Sequence, residues 1–180
     1  ADLMQRVNRT LRRRGIEGLF CTLAYALFDF QERTLRIANS GLPHPLHYRA
    51  AAGRAGPLEV SGLPLGTFDG VSYDEVSVEL AKGDVVVFYT DGLVEARRGR
   101  EEYGPERLLL DLEAHAALPA PELGERLLDQ ARALAALPFA WIEECPNLKT
   151  DFDRLVAASL VAAGSIRERF DLPLALVIMD

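Results

Sequence analysis

The chain has 180 residues, with 20 Lys and Arg against 27 Asp and Glu, a net charge of −7, and 49% hydrophobic residues. That length suits one domain with a sizeable core. The acidic balance argues against a nucleic-acid surface, which needs a basic excess, and the well-mixed charge and ordinary apolar content argue against intrinsic disorder. Cys21 and Cys145 lie far apart, with no CxxC and no nearby His pair, so neither a disulfide framework nor a zinc site is expected and a reducing cytoplasm is the expected compartment. No apolar run approaches the roughly 18–20 residues of a membrane span, and no charged-then-apolar leader opens the chain. The opening Ala1-Asp2-Leu3-Met4 lacks an initiator Met, and the expectation is a piece of a longer chain.

In chain order, residues 2–14 place Leu3, Met4, Val7 and Leu11 at helical spacing, with arginines on the other face and Gly15 ending the run. Phe20 to Phe30 is apolar and rich in strand formers. Thr34 to Asn39 alternates, with Leu35 and Ile37 on one side, and Asp29 to Arg33 has turn composition, so the two runs read as a hairpin. A loop follows from Asn39 to Pro45, then a short strand, Leu46 to Arg49. Residues 50–57 read as a surface turn, and Ser61 to Gly66 as a second Gly/Pro loop. Tyr73, Val76, Val78 and Leu80 share a strand, Lys82-Gly83-Asp84 turns, and Val85 to Tyr89 has the continuous apolar run of a strand buried on both faces. Pro105 opens a helix with Leu108, Leu109 and Leu112 on its apolar face. After Pro119-Ala120-Pro121, Leu123, Leu127, Leu128, Ala131 and Leu134 mark a second helix that ends by Pro138. Strands followed by helices indicate a layered α+β domain.

Asp91 is the sharpest chemical candidate. It follows the buried strand as Thr90-Asp91-Gly92, where side chain and backbone can approach a cation. Carboxylate and water oxygens suit Mg²⁺ or Mn²⁺; the plainer alternative is a turn carboxylate that accepts backbone N–H bonds.

Three stretches, in order, resemble the PP2C-type (PPM) protein phosphatases of the bacterial SpoIIE/RsbU branch. Phe20-Cys21-Thr22-Leu23 through Asn39-Ser40-Gly41-Leu42-Pro43-His44-Pro45 is similar to the family's hairpin ending in N-A-G-x-P-x-P. Gly62-Leu63-Pro64-Leu65-Gly66 resembles G-L-P-L-G. Leu80 to Asp84 and Tyr89 to Ala96 resemble L-x-x-G-D and Y-T-D-G-x-x-E-A, and Tyr103 to Leu108 resembles F-G-x-E-R-L. The likeness runs over residues 5–135, with 139–180 divergent.

This resemblance implies one domain over 1–180: a PP2C-like sandwich of two antiparallel sheets flanked by helices, lacking its N-terminal strands. It implies a two-metal Mn²⁺ or Mg²⁺ site with Asp91 as a ligand, and Gly92 beside it leaving the site uncrowded. The substrate would be a phosphoserine or phosphothreonine on a small signalling protein, such as an anti-anti-sigma factor. A homodimer and a place in a longer multidomain sensor protein are also implied.

Two family motifs depart from the pattern. The G-D-x-x-G-x-G loop is absent, which favours an alternative: a catalytically incomplete domain that binds a signalling partner. The D-D-x-T motif has two candidates, Asp151 with Asp153 or Asp171, and spacing favours Asp151 and Asp153 as metal ligands; a helix N-cap at Asp151 is the structural alternative. Leu174 to Asp180 reads as a closing core strand, as the missing first motif's strand in permuted order, or as the start of another signalling domain. His44, between two prolines, is the candidate to face a substrate phosphate, and Arg97 and Arg98 stand just beyond Asp91.

Overall fold

The computed structural model describes residues 1–13 and 20–135, together with the backbone of 174–177. They fall into two compact units, Ala1–Pro45 with Pro57–Leu80, and Leu46–Gly56 with the chain from Ala81 onward.

The first unit opens with α1 (Asp2–Arg13), built from good helix formers, with Asp2 in the first turn and Arg12 and Arg13 in the last, as the helix dipole prefers. Its packed face is narrower than the expected stripe. Met4 is fully buried and Val7 partly, whereas Leu3 and Leu11 are 44% and 36% exposed. The reason is Asn8, a buried polar residue: its Nδ2 donates to Phe68 O at 3.0 Å and its Oδ1 accepts from Gly66 N at 2.7 Å. Those two bonds set the helix's rotation, because a buried amide left unpaired costs more than an exposed leucine. Arg12 adds a forked contact to Asp69 at 3.1 and 3.0 Å, holding that exposed carboxyl below its usual range.

The sheet of this unit has the order β1-β2-β5, all antiparallel, with β1 at Leu23–Asp29, β2 at Thr34–Ser40 and β5 at Val76–Glu79. The hairpin forms where expected. Asp29 Oδ1 accepts from Gln31 N and Glu32 N, both at 3.0 Å, and Arg33 takes the left-handed φ of +51° that closes the turn. Central β2 buries Leu35 and Ile37 with Arg36 outward, the alternation its sequence shows. Strand β5 is shorter than expected: Tyr73 lies outside it, buried with Met4, Ala38 and Leu65. Burial raises the Tyr73 phenol pKa, and its hydroxyl has no hydrogen-bond partner among the described residues. Ser40, the side chain facing it, already donates to Leu63 O and accepts from Leu65 N. Tyr73→Phe is therefore expected to leave the melting temperature unchanged or to raise it, since it deletes a desolvated group and no bond; thermal denaturation by circular dichroism checks this, and a drop of several degrees would contradict it.

The second unit holds a sheet of order β4-β3-β6-β9, with β3 at Leu46–Arg49, β4 at Arg54–Pro57, β6 at Val85–Phe88 and β9 at Leu174–Val177. Strand β4 corrects the reading of 50–57 as a turn throughout. Only 50–53 turn, and Glu113 then fastens the returning strand by accepting from Ala55 N at 2.9 Å and Arg54 Nη1 at 3.3 Å. The backbone bond from Ala55 is the main reason the Glu113 carboxyl sits below its usual range. Strand β3 runs antiparallel to β6, and β9 runs parallel to it. Every residue of β6 is buried, as its apolar run requires.

Two longer helices cover this unit's core. In α3 (Gly104–His115), which carries Pro105 in its first turn, Leu108 and Leu112 are fully buried. In α4 (Ala120–Ala135), Leu123, Leu127 and Ala131 are buried. They pack in one cluster with Leu46, Val85, Val87, Tyr89 and Leu93. Each fully buried leucine there contributes roughly 2 kcal/mol. No helix among the described residues is long and apolar enough to cross a membrane.

Candidate active site

Asp91 is carried three residues beyond the end of β6, as the first residue of the four-residue helical turn α2 (Asp91–Val94). The buried strand and the buried Tyr89 and Leu93 fix the backbone on either side, while the carboxylate itself is exposed. Its Oδ1 accepts from Gly92 N at 3.0 Å, and its carbonyl accepts from Glu95 N at 2.8 Å. Thr90 occupies the N-cap position without a side-chain cap bond. Gly92 is helical rather than left-handed, so its contribution is the absence of a side chain. Asp91 thus offers a hard oxygen donor on a well-fixed backbone, which is the chemistry Mg²⁺ or Mn²⁺ prefers. Among the described residues, however, no group of three His, Cys, Asp or Glu stands close enough to hold a metal ion. One carboxylate does not make a metal centre. Asp151, Asp153, Asp171 and Asp180 lie outside the described residues.

Beyond α2 comes a feature the sequence reading missed, a two-pair hairpin of β7 (Arg97–Arg98) and β8 (Glu101–Glu102). Its base is closed by Tyr103 N donating to Ala96 O at 2.7 Å. The Tyr103 hydroxyl donates to Asp111 Oδ2 at 2.5 Å, and burial together with that bond pushes its pKa well above the ordinary value. The alternation Arg-Arg-Gly-Arg-Glu-Glu was the available signal: opposite charges fall across from each other once Gly99 turns the chain.

His44 belongs to the first unit. Its Nδ1 stands 3.2 Å from Val60 N and 3.1 Å from Val60 O. Through these contacts the ring pins the loop that follows β2 to Val60. Asn39 reinforces the same junction, donating from Nδ2 to Leu42 O at 2.8 Å and Val60 O at 3.0 Å, with Leu42 N donating back to Oδ1 at 3.2 Å. Motif residues Asn39 and Ser40 are fully buried and act as loop organisers.

A second buried arrangement was not anticipated from sequence. His47 and Asp84 are 2% and 4% exposed, and His47 Nε2 lies 3.0 Å from Asp84 Oδ2. The same carboxylate accepts from Ala81 N at 3.0 Å and Ala50 N at 2.9 Å. Because a carboxylate only accepts, Nε2 carries the imidazole proton, and Nδ1 is left buried without a partner among the described residues. The last residue of the L-x-x-G-D stretch therefore knots the turn before β6 to the turn after β3.

Comparison with known proteins agrees with this architecture. The family profile described as "Stage II sporulation protein E (SpoIIE)" matches residues 1–138. The chain is 24% identical over 129 residues to "Phosphoserine phosphatase RsbU" of Bacillus subtilis (strain 168), covering 72% of this chain and 38% of RsbU. Among solved structures, the RsbU and RsbW domains of Rv1364c from Mycobacterium tuberculosis superpose with a TM-score of 0.59 at 26% identity, covering 76% of this chain and 37% of that one. The SiaA-PP2C domain of Pseudomonas aeruginosa superposes with a TM-score of 0.64 at 19% identity, covering 77% and 54%. The chain therefore spans well under two thirds of these relatives, and its helices and two main sheets correspond to part of a PP2C fold. With the profile matched from residue 1 to residue 138, the chain belongs to the SpoIIE family of PP2C-type phosphatases.

Proposed function

We propose that this chain forms part of a metal-dependent protein phosphatase acting on phosphoserine or phosphothreonine, with residues 1–180 contributing to one PP2C-like domain. The observation that carries the reading is Asp91: an exposed carboxylate, bonded only to its neighbour's amide among the described residues, on a backbone fixed by a fully buried strand. Asp91 would hold Mn²⁺ or Mg²⁺, with Gly92 keeping the approach open and Asp151 and Asp153 as further ligands. The bound ion would supply an activated water and a clamp on the phosphoryl oxygens. His44, whose Nδ1 is engaged at Val60, would turn Nε2 toward a phosphate oxygen. The name of the RsbU relative supports phosphoserine as the substrate group. The two-domain Rv1364c relative supports a place within a longer signalling protein. A phosphorylated anti-anti-sigma-type regulator, a homodimer and a cytoplasmic location complete the proposal.

A second reading is favoured by one observation, the lack of a three-ligand cluster among the described residues. In that reading the domain is catalytically incomplete and binds a signalling partner. Hydrolysis of a chromogenic phosphate ester with Mn²⁺, run beside Mn²⁺ titration calorimetry, separates the two. The phosphatase reading expects turnover and binding, both falling about a hundredfold or more in Asp91→Asn, since even outer-sphere substitutions at metal sites cost 10–100-fold. Absence of both turnover and Mn²⁺ binding in the unsubstituted chain would leave the partner-binding reading.

A further inference from the structure

Three arginines in four residues, Arg97, Arg98 and Arg100, are exposed on the β7–β8 hairpin of a chain whose net charge is −7. The local acids do not neutralise them. Arg97 pairs with Glu102 across the hairpin, but loosely, at 3.9 Å. Glu101 stands opposite Arg98, yet its carboxylate is taken by Arg107 of α3 at 2.5 Å, and Arg107 also donates to Glu102 O at 3.1 Å. Arg107 is the main cause of the lowered Glu101 pKa, with Arg98 the smallest contributor. Arg98 and Arg100 have no hydrogen bond or ion pair among the described residues.

The hairpin is also built to present these groups. Its base is locked by the Tyr103 N to Ala96 O bond beside the buried Tyr103, and Arg107 staples its second strand to α3. Its tip is open, because Gly99 takes φ +65° with nothing within 4 Å of where a Cβ would stand. Two guanidiniums on a short, anchored ribbon keep their donor forks free for bidentate pairing with carboxylates.

We propose that the β7–β8 hairpin docks an acidic segment of a partner protein, the residues flanking the phosphorylated side chain, through Arg98 and Arg100. This rests on the phosphatase reading for what the partner is, while the docking chemistry stands on the hairpin. Charge complementarity selects the occupant: the hairpin is an excess of fixed positive charge on an acidic molecule, which attracts an acidic peptide locally while the molecule as a whole repels polyanionic nucleic acid.

The test is fluorescence anisotropy with two labelled phosphoserine peptides of equal length, one flanked by Asp and Glu and one by Lys, alongside a single-stranded oligonucleotide. The acidic peptide is expected to bind at least about tenfold tighter than the Lys-flanked one, with the gap closing as salt rises. Arg98→Glu with Arg100→Glu should abolish that preference, and Arg98→Gln with Arg100→Gln should reduce it, while Arg6→Glu with Arg9→Glu on α1 should leave it intact. Equal binding of the two peptides, equal losses in the hairpin and α1 variants, or tighter binding of the oligonucleotide would overturn the proposal. Turnover of the chromogenic ester by the unsubstituted chain scores the phosphatase reading separately. Turnover without peptide preference sinks only the hairpin's role, and preference without turnover sinks only the enzyme.

Discussion

Asp84→Ala is expected to destabilise the protein by roughly 3 kcal/mol, because it removes the shared acceptor of three hydrogen bonds at once. The carboxylate accepts three hydrogen bonds, from Ala50 N, Ala81 N and His47 Nε2, at 2.9 to 3.0 Å, and is 4% exposed. Truncation strands the buried His47 Nε2 and leaves the part-buried amides of Ala50 and Ala81 without their acceptor, and a buried donor left unpaired costs about 1–3 kcal/mol before relaxation. Asp84→Asn should recover only part of the loss. Its single carbonyl oxygen can serve Ala50 N or the pair of donors at the other position, and its amide N–H₂ opposes whatever remains. His47→Ala should cost less than Asp84→Ala, because the two backbone bonds survive. Urea denaturation of the three variants, followed by circular dichroism, checks the order. Equal midpoints for Asp84→Ala and the unsubstituted protein would show that the knot contributes nothing.

Gly62→Ala is the second large effect expected, about 3 kcal/mol or failure to fold, at the upper end of overpacking costs. A Cβ at Gly62 would stand 2.1 Å from Asn39 O and 2.9 Å from Tyr73 Cδ1. The carbonyl cannot retreat cheaply, since Asn39 sits at the end of β2 and its side chain holds Leu42 and Val60. Two other glycines separate the possible causes. Gly70 has φ +71° and open space, so Gly70→Ala should cost only the left-handed penalty of about 1–2 kcal/mol. Gly56 has neither constraint, so Gly56→Ala should be close to neutral. If all three substitutions shifted the denaturation midpoint equally, close approach at Gly62 would not be the reason for its glycine.

These cases show where local sequence is informative. The β1–β2 hairpin was legible because Asp29 to Arg33 carries its own turn chemistry and Leu35 and Ile37 alternate. Strand β6 was legible because a five-residue apolar run beside a Gly-Asp turn has few other uses. The paired leucines of α3 and α4 followed their helical spacing. What escaped depended on partners distant in the chain. Strand β4 is Arg-Ala-Gly-Pro, with little strand character, and is held by Glu113, 58 residues away from Ala55. Leu3 and Leu11 were expected in the core, but Asn8 turned the helix to satisfy its amide.

The candidate site divides in the same way. Asp91 was singled out because its neighbours form a dense motif within eight residues, and the structure adds that it heads a helical turn. His44 was singled out as a polar residue between prolines; that its Nδ1 meets Val60 was a tertiary fact. The His47–Asp84 knot could not be read at all, because the two residues are 37 positions apart and each alone looks like a surface polar residue beside a turn.

The sequence by itself determined the family, the order of most elements and the carboxylate at the head of α2, because periodicity, turn chemistry and ordered motifs are local and survive without coordinates. The tertiary structure alone decided which polar side chains are buried and what satisfies them. It also decided which arginines of the β7–β8 hairpin keep unneutralised charge. Both depend on desolvation and on distances across the fold. A net charge of −7 thus coexists with a hairpin that carries three arginines against two glutamates, since net charge averages over a surface that a binding partner reads a few residues at a time.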